Sequence, residues 1–272
     1  MMNNSYLMVA GDKQKHLDKL DTLKCHIPII NLEDGVYDKN KARSLVFDNL
    51  INKNNKNIVI RVNDLTTCGK EDIEVINKLK PKAIRVAKIK TKEDVYDALN
   101  LIDDDIEVHL SIETKEALKN LESLKVNNRV TTVYLGILDM LESLKLPQSL
   151  VQLDNPSIDY ILSRFLISSK IAQFEAVSFV YQDYKNIAEF TAWCKKEKAL
   201  GFTSKVCISP SQVEIVNEVH KIDELELKKA KYIINIFEKN RKNKNTAIED
   251  EYYGFIDEPI YKDALLFAKN NR

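Results

Sequence analysis

From Ser5 onward, short runs rich in β-branched residues alternate with longer charged segments whose apolar positions recur every three or four residues. A period of two suits a strand and a period near 3.6 an amphipathic helix, so the alternation spells repeated βα units around a parallel sheet. Eight candidate strands can be counted: SYLMVA (from Ser5), IPIINLED (Ile27), KNIVIRVN (Lys56), KAIRVAK (Lys82), IEVHLSIE (Ile106), VTTVYLGILD (Val130), FEAVSFVYQ (Phe174) and SKVCISP (Ser204). Segments such as DKNKARSLVFDNLIN, KEDIEVINKLK, TKEDVYDALNLI and TKEALKNLESLK fill the gaps as helices, with Thr91 and Thr114 placed as N-caps. Eight units in 272 residues predict an α/β fold of (β/α)8 TIM-barrel type, with an open doubly wound sheet as the alternative. Two further helical patterns follow the eighth strand, so the barrel is expected over 1–221 and a C-terminal helical appendage over 222–272. Residues 238–245 (EKNRKNKN) read as a solvated link inside that appendage.

Several classes of function fall away on composition. Lys plus Arg and Asp plus Glu both total 41, which leaves no net field to hold a nucleic-acid backbone or an anionic membrane. No window approaches the roughly 18 consecutive apolar residues of a membrane span, and the opening segment lacks a signal-peptide core, so a cytoplasmic protein is expected. Cys25, Cys68, Cys194 and Cys207 are scattered without a C-x-x-C pair, which argues against a zinc site or a disulfide framework. With six glycines in the whole chain there is no phosphate-binding loop of the G-x-G-x-x-G or Walker kind. A small-molecule ligand is the remaining expectation.

In parallel barrels the active face is built from the C-terminal strand ends and the loops after them. Here the second strand ends in Glu33-Asp34, the third in Arg61-Val62-Asn63-Asp64, the fifth in Glu113 and the sixth in Asp139. Side-chain alternation puts Arg61 and Asn63 on one face of the third strand, and His109, Ser111 and Glu113 on one face of the fifth. Glu113 and Asp139 end neighbouring strands, and two adjacent carboxylates repel unless a cation or a shared proton lies between them. A hard divalent ion, Mg²⁺ or Mn²⁺, would take both oxygens together with waters and an oxo-acid ligand. The competing readings are a structural ion-pair layer for Arg61 and the acids, and a helix N-terminal acid for Glu113 before Thr114.

Seven segments, in order, resemble the successive motifs of the citrate lyase β-subunit-like family, which includes the HpcH/HpaI aldolases: SYLMVAGDKQKHLDKL, LEDGV with KNKAR, IRVND, SIETKEAL, YLGILDM, LGFTSKVCISPSQVEIVNEV and GFIDEPIYKDAL. The resemblance implies a TIM-type barrel, commonly trimeric, that cleaves or forms C–C bonds of acyl-CoA thioesters such as citryl-CoA or malyl-CoA. It implies Glu113 and Asp139 as Mg²⁺ ligands, Arg61 as a catalytic and substrate-binding residue, and Glu33 and Asp34 near the metal's waters. Asp34 is included among the catalytic candidates, and Asn63 and Ser209 among the substrate-binding ones. Asp257 corresponds to a C-terminal Asp that acts as acid/base in a neighbouring subunit's site; its other reading is a plain helix N-cap. Departures stand at Ser209 (usually His), Ser204 (usually Gly), Val177-Ser178, Asn186 and Ala87, around the expected substrate and CoA surroundings. A divalent-metal aldolase acting on free 2-oxo acids, or a non-catalytic barrel relative, are the alternatives.

Overall fold

Eight parallel strands close into a ring in the computed structural model, which describes residues 5–53 and 56–270. They are β1 Ser5–Ala10, β2 Ile27–Asn31, β3 Val59–Val62, β4 Ala83–Val86, β5 Glu107–Ile112, β6 Val130–Leu135, β7 Glu175–Ser178 and β8 Ser204–Cys207. Their spatial order is their chain order, and β8 pairs back onto β1 through Ser5 and Lys205, so the open-sheet alternative is excluded. The expected N-caps form: Thr91 and Asp94 make a reciprocal capping box at the helix Lys92–Leu101, and Thr114 accepts the Ala117 N–H at the helix Lys115–Asn120.

The two faces of each strand have different partners. Outward residues such as Ile30, Ile60, Ile84, Leu110 and Val133 join the large core under the helices. Inward residues Tyr6, Ile27, Ile29, Val59, Ala83, Tyr134, Val177 and Val206 form a second, smaller core inside the ring. Two residues further along β2, β3 and β4 the inward positions turn polar, as Asn31, Arg61 and Arg85, and these pair in register across the three strands. The interior therefore changes from apolar packing to a charged layer toward the C-terminal rim.

One ion pair belongs to the wall and not to the mouth. Lys205 points from β8 to the helix Ile187–Leu200, where its Nζ meets Glu197 Oε1 at 2.7 Å and the Phe179 carbonyl at 2.9 Å, all buried.

The chain divides into two compact units, residues 3–219 and 220–272. The second is built from the long helix Glu224–Lys242, a hairpin of Ile248–Asp250 with Gly254–Ile256, and the helix Glu258–Asn270, around Ala230, Ile233, Phe237, Ile256 and Tyr261. The expectation of a solvated link at 238–245 is corrected here, because residues 238–242 continue the long helix. Lys239, Arg241 and Lys242 lie in its last turn, where cations oppose the negative end of the helix dipole, and Lys, Glu and Arg are good helix formers. Composition alone misread a solvated helical face as loop.

Candidate active site

The C-terminal rim surrounds a cavity of about 240 Å³ into which Asp34, Arg61, Arg85, Glu113 and Asp139 all project. β3 delivers Arg61 one residue before its end, buried, with Nη2 at 2.6 Å from Glu33 Oε2, 3.4 Å from Asp34 Oδ2 and 3.6 Å from Glu113 Oε2. Glu33 Oε2 also accepts the Asp34 N–H at 2.7 Å. Burial pushes the Glu33 carboxyl up to about 7 even though Arg61 opposes the shift. Desolvation acts the same way on Asp34, but there the hydrogen bond with Glu33 and the charge of Arg61 prevail and hold it below the usual range.

Glu113 directly follows β5 and is fixed from two sides. Its Oε1 accepts the Lys88 N–H at 2.7 Å, and Lys88 adopts a left-handed φ of 55° in the turn after β4, an uncommon conformation for a non-glycine residue. Gly136, next after β6, lies so close that a Cβ there would fall 2.7 Å from Glu113 Cβ and 3.0 Å from its Oε2. Only a glycine leaves room for the carboxylate.

Asp139 corrects one local expectation. β6 stops at Leu135, and Asp139 stands in the first turn of the helix Ile137–Ser143 instead of at a strand end. The break at Gly136 ends the β pattern, and an acid in a helix's first turn faces the positive end of its dipole. Asp139 still reaches the cavity. Burial first, and then the negative charges of Glu113 and Asp34, raise its carboxyl above the usual carboxylate range. Carboxylates crowded in this way fit a hard cation. Among the described residues no group of three or more His, Cys, Asp or Glu side chains is placed to hold a metal.

Other predicted residues serve different purposes. Asn63 does not line the cavity: its Nδ2 donates to Asp72 Oδ2 at 2.6 Å and to the Leu32 carbonyl at 2.9 Å, tying the end of β3 to the helix Gly69–Asn77. Alternation had paired it with Arg61, but β3 ends at Val62 and the regular face ends with it. Ser209 also stays outside the cavity, its Oγ accepting the Gln212 N–H at 3.3 Å at the start of the helix Pro210–Val219. His109 is buried inside the ring, with Nδ1 3.0 Å from Tyr134 Oη and Nε2 3.3 Å from Glu107 Oε2. In the second unit Asp257 Oδ1 accepts the Ile260 N–H at 3.2 Å, the N-cap geometry of the helix Glu258–Asn270.

Three lining residues with polar side chains were not singled out in the sequence: Asn31, Arg85 and Gln182. Arg85 had a legible signal, a cation inside a four-residue strand otherwise made of Ala, Ile and Val, in register with Arg61. Gln182 ends the candidate strand FEAVSFVYQ, but β7 stops at Ser178 and leaves it in a loop.

The profile of the HpcH/HpaI aldolase/citrate lyase family matches residues 4–210, which include all eight strands and every charged residue of the cavity. The chain belongs to this family. It is 27% identical over 252 residues to a (3S)-malyl-CoA thioesterase of Cereibacter sphaeroides, covering 90% of this chain and 87% of that protein. It is 25% identical over 287 residues to human mitochondrial citramalyl-CoA lyase, covering 95% and 82%. The citrate lyase subunit beta of Leuconostoc mesenteroides is 25% identical over 248 residues, with 85% and 81% covered. Solved structures share the fold at lower identity. The CitE protein of Mycobacterium tuberculosis in complex with magnesium, acetoacetate and coenzyme A superposes with a TM-score of 0.79 at 20% identity, covering 98% of both chains. A citrate lyase from Burkholderia xenovorans reaches 0.86 at 15% identity, covering 99% of this chain and 92% of that one.

Proposed function

We propose that this HpcH/HpaI-family chain is a Mg²⁺-dependent carbon–carbon lyase that cleaves, or in reverse forms, a β-hydroxyacyl-CoA of the citryl-CoA or malyl-CoA type. The observation that carries this reading is the pair Glu113 and Asp139 lining one small cavity with Arg61, beside a glycine that makes room for the carboxylate. The family match, and the magnesium, acetoacetate, coenzyme A and oxaloacetate named for its structural neighbours, support it.

The reaction asks four things of the protein. A base removes the proton from the substrate hydroxyl, that carbon becomes the keto carbon of a 2-oxo acid as its bond to the α-carbon breaks, and the electron pair stays on the α-carbon as a thioester enolate. The same proton then returns to that carbon, giving the acyl-CoA. Glu113 and Asp139 would hold the metal, and Mg²⁺ when bound supplies Lewis acidity and a template for the carboxylate and its neighbouring oxygen. Arg61 would hold an oxyanion with its planar, always charged fork, kept in place by Glu33 and Asp34. Asp257 would move the proton, acting from the C-terminal unit of a neighbouring subunit in a homotrimer.

A second reading has a specific basis, because the relatives from Cereibacter sphaeroides are named (3S)-malyl-CoA thioesterase. Hydrolysis would release free coenzyme A and a hydroxy acid, whereas cleavage releases a 2-oxo acid and leaves the thioester intact. Incubation with malyl-CoA, citramalyl-CoA and citryl-CoA, followed by assays for free thiol and for 2-oxo acid, separates the two. The lyase reading expects Mg²⁺-dependent 2-oxo acid without thiol, abolished by EDTA. Thiol without 2-oxo acid, or turnover unaffected by EDTA, overturns it.

A further inference from the structure

The two guanidiniums of the cavity have unlike charge surroundings. Arg61 faces three carboxylates within 3.6 Å. Arg85 is 4% exposed, and among the described residues it has no carboxylate within the 4.0 Å of an ion pair. Its one hydrogen bond runs from Nε to Ser111 Oγ at 2.8 Å, and its Nη1 is buried without any partner. The plane is steadied from one side by Tyr134, whose ring centroid lies 4.2 Å from Cζ. A buried cation without a counter-ion is costly, and an aromatic face replaces one only in part.

From this asymmetry we infer that Arg85 is a substrate-binding residue, the receptor for an anionic carboxylate of the 2-oxo acid and of the same group in the uncleaved substrate. This rests on the reading of the cavity as a 2-oxo-acid site. Arg61 is neutralised by its neighbours before any ligand arrives; Arg85 is not. The cavity's size selects the ligand's acid end over the nucleotide of coenzyme A, since about 240 Å³ is below the roughly 300–1,000 Å³ of pockets for drug-sized molecules. Burial, and then repulsion from Arg61, bring the Arg85 guanidinium down to about 10, which leaves it charged at neutral pH. Tyr134 covers one face of the guanidinium and Ser111 takes Nε, so the Nη edge remains for the ligand.

The test is calorimetric titration of the full chain in Mg²⁺ with pyruvate and glyoxylate, each beside its primary amide, for the wild type, Arg85→Lys and Arg85→Met. Met keeps an apolar stem and a sulfur that packs on aromatic rings, and Lys keeps the charge without the fork. Wild type should prefer each acid over its amide, and Arg85→Met should shrink that preference by roughly tenfold or more, with Arg85→Lys in between. A merely structural Arg85 would weaken acid and amide alike, so an unchanged preference in both variants overturns the inference. Should Arg85→Met fail to fold, Arg85→Lys alone decides by the same ratio. Absence of acid binding in the wild type would instead sink the 2-oxo-acid reading itself, and this inference with it.

Discussion

Arg61 was visible in the sequence because it is a charge within an apolar strand, one residue from the expected rim, and the structure surrounds it with Glu33, Asp34 and Glu113. Arg61→Lys should leave the thermal midpoint within a few degrees but lower turnover by about 10²-fold or more, because an ammonium cannot reproduce the planar fork that would hold the oxyanion. Unchanged turnover would assign Arg61 to the structural ion-pair layer. Gly136 is the less obvious residue. No sequence rule marks a lone glycine after a strand as part of a metal site, since the requirement is a contact between the ends of β5 and β6 that only their pairing creates. Gly136→Ala is expected to weaken Mg²⁺ binding by roughly tenfold or more, as a methyl group 2.7 Å from Glu113 Cβ forces that side chain to move. Titration of Mg²⁺ by calorimetry checks it, and a wild-type affinity would separate Glu113 from the metal. Asn63 and Ser209 mark the limit of residue-level reading: each lies one or two positions past a strand, where alternation no longer says which way a side chain points.

Element by element, the strands were legible because strand and helix periods differ, and the rim was not, because at the rim they meet. Asp139 is the example: β-like residues run to Leu135, one glycine intervenes, and Ile137 starts a helix whose pattern over seven residues is too short to recognise. β5 carries information of another kind at its opposite end. There Glu107 accepts from His109 Nε2 at 3.3 Å and from Thr131 Oγ1 at 2.6 Å, and the His109 bond foremost holds its carboxyl down to about 2 against desolvation. Burial lowers the His109 imidazole below its ordinary value. A folded value below the ordinary 4.5 means stability that is present above pH 4.5 and lost as pH falls toward 2. Glu107→Gln should therefore flatten the acid limb of the unfolding curve between those pH values by on the order of 1 kcal/mol, a figure already reduced for the carboxylate's partial exposure. Urea titrations at stepped pH would show it, and parallel acid limbs in the two proteins would refute it.

At the scale of the whole molecule, the proposed chemistry needs two kinds of unit, a barrel with Glu113 and a C-terminal unit with Asp257. If Asp257 acts in a neighbour's site, Asp257→Asn should preserve Mg²⁺ and ligand binding while reducing turnover by roughly 10²–10⁴-fold. Mixed oligomers of Asp257→Asn with Glu113→Gln should then regain activity, since some sites combine an intact metal pair with an intact acid. No recovery in oligomers shown to be mixed would leave Asp257 as the helix cap it forms within its own unit. The fold itself was readable at this scale from eight counted units, and the expected end of the barrel at residue 221 rested on the helical patterns after the eighth strand, since no glycine- or proline-rich linker announces the division at residues 219 and 220. The pairing of β8 with β1 has a consequence for how the chain comes to be folded. Ser5 and Lys205 are partners across 200 residues of sequence, so a ribosome must release nearly the whole first unit before the last seam can form. Until then β1 and whichever strand was made last are two bare edges with unpaired backbone groups, each a template for another nascent chain. A fragment stopped just short of Ser204 keeps every charged residue of the cavity yet never loses those edges, and it should be recovered as aggregate where the ring-closing chain stays in solution.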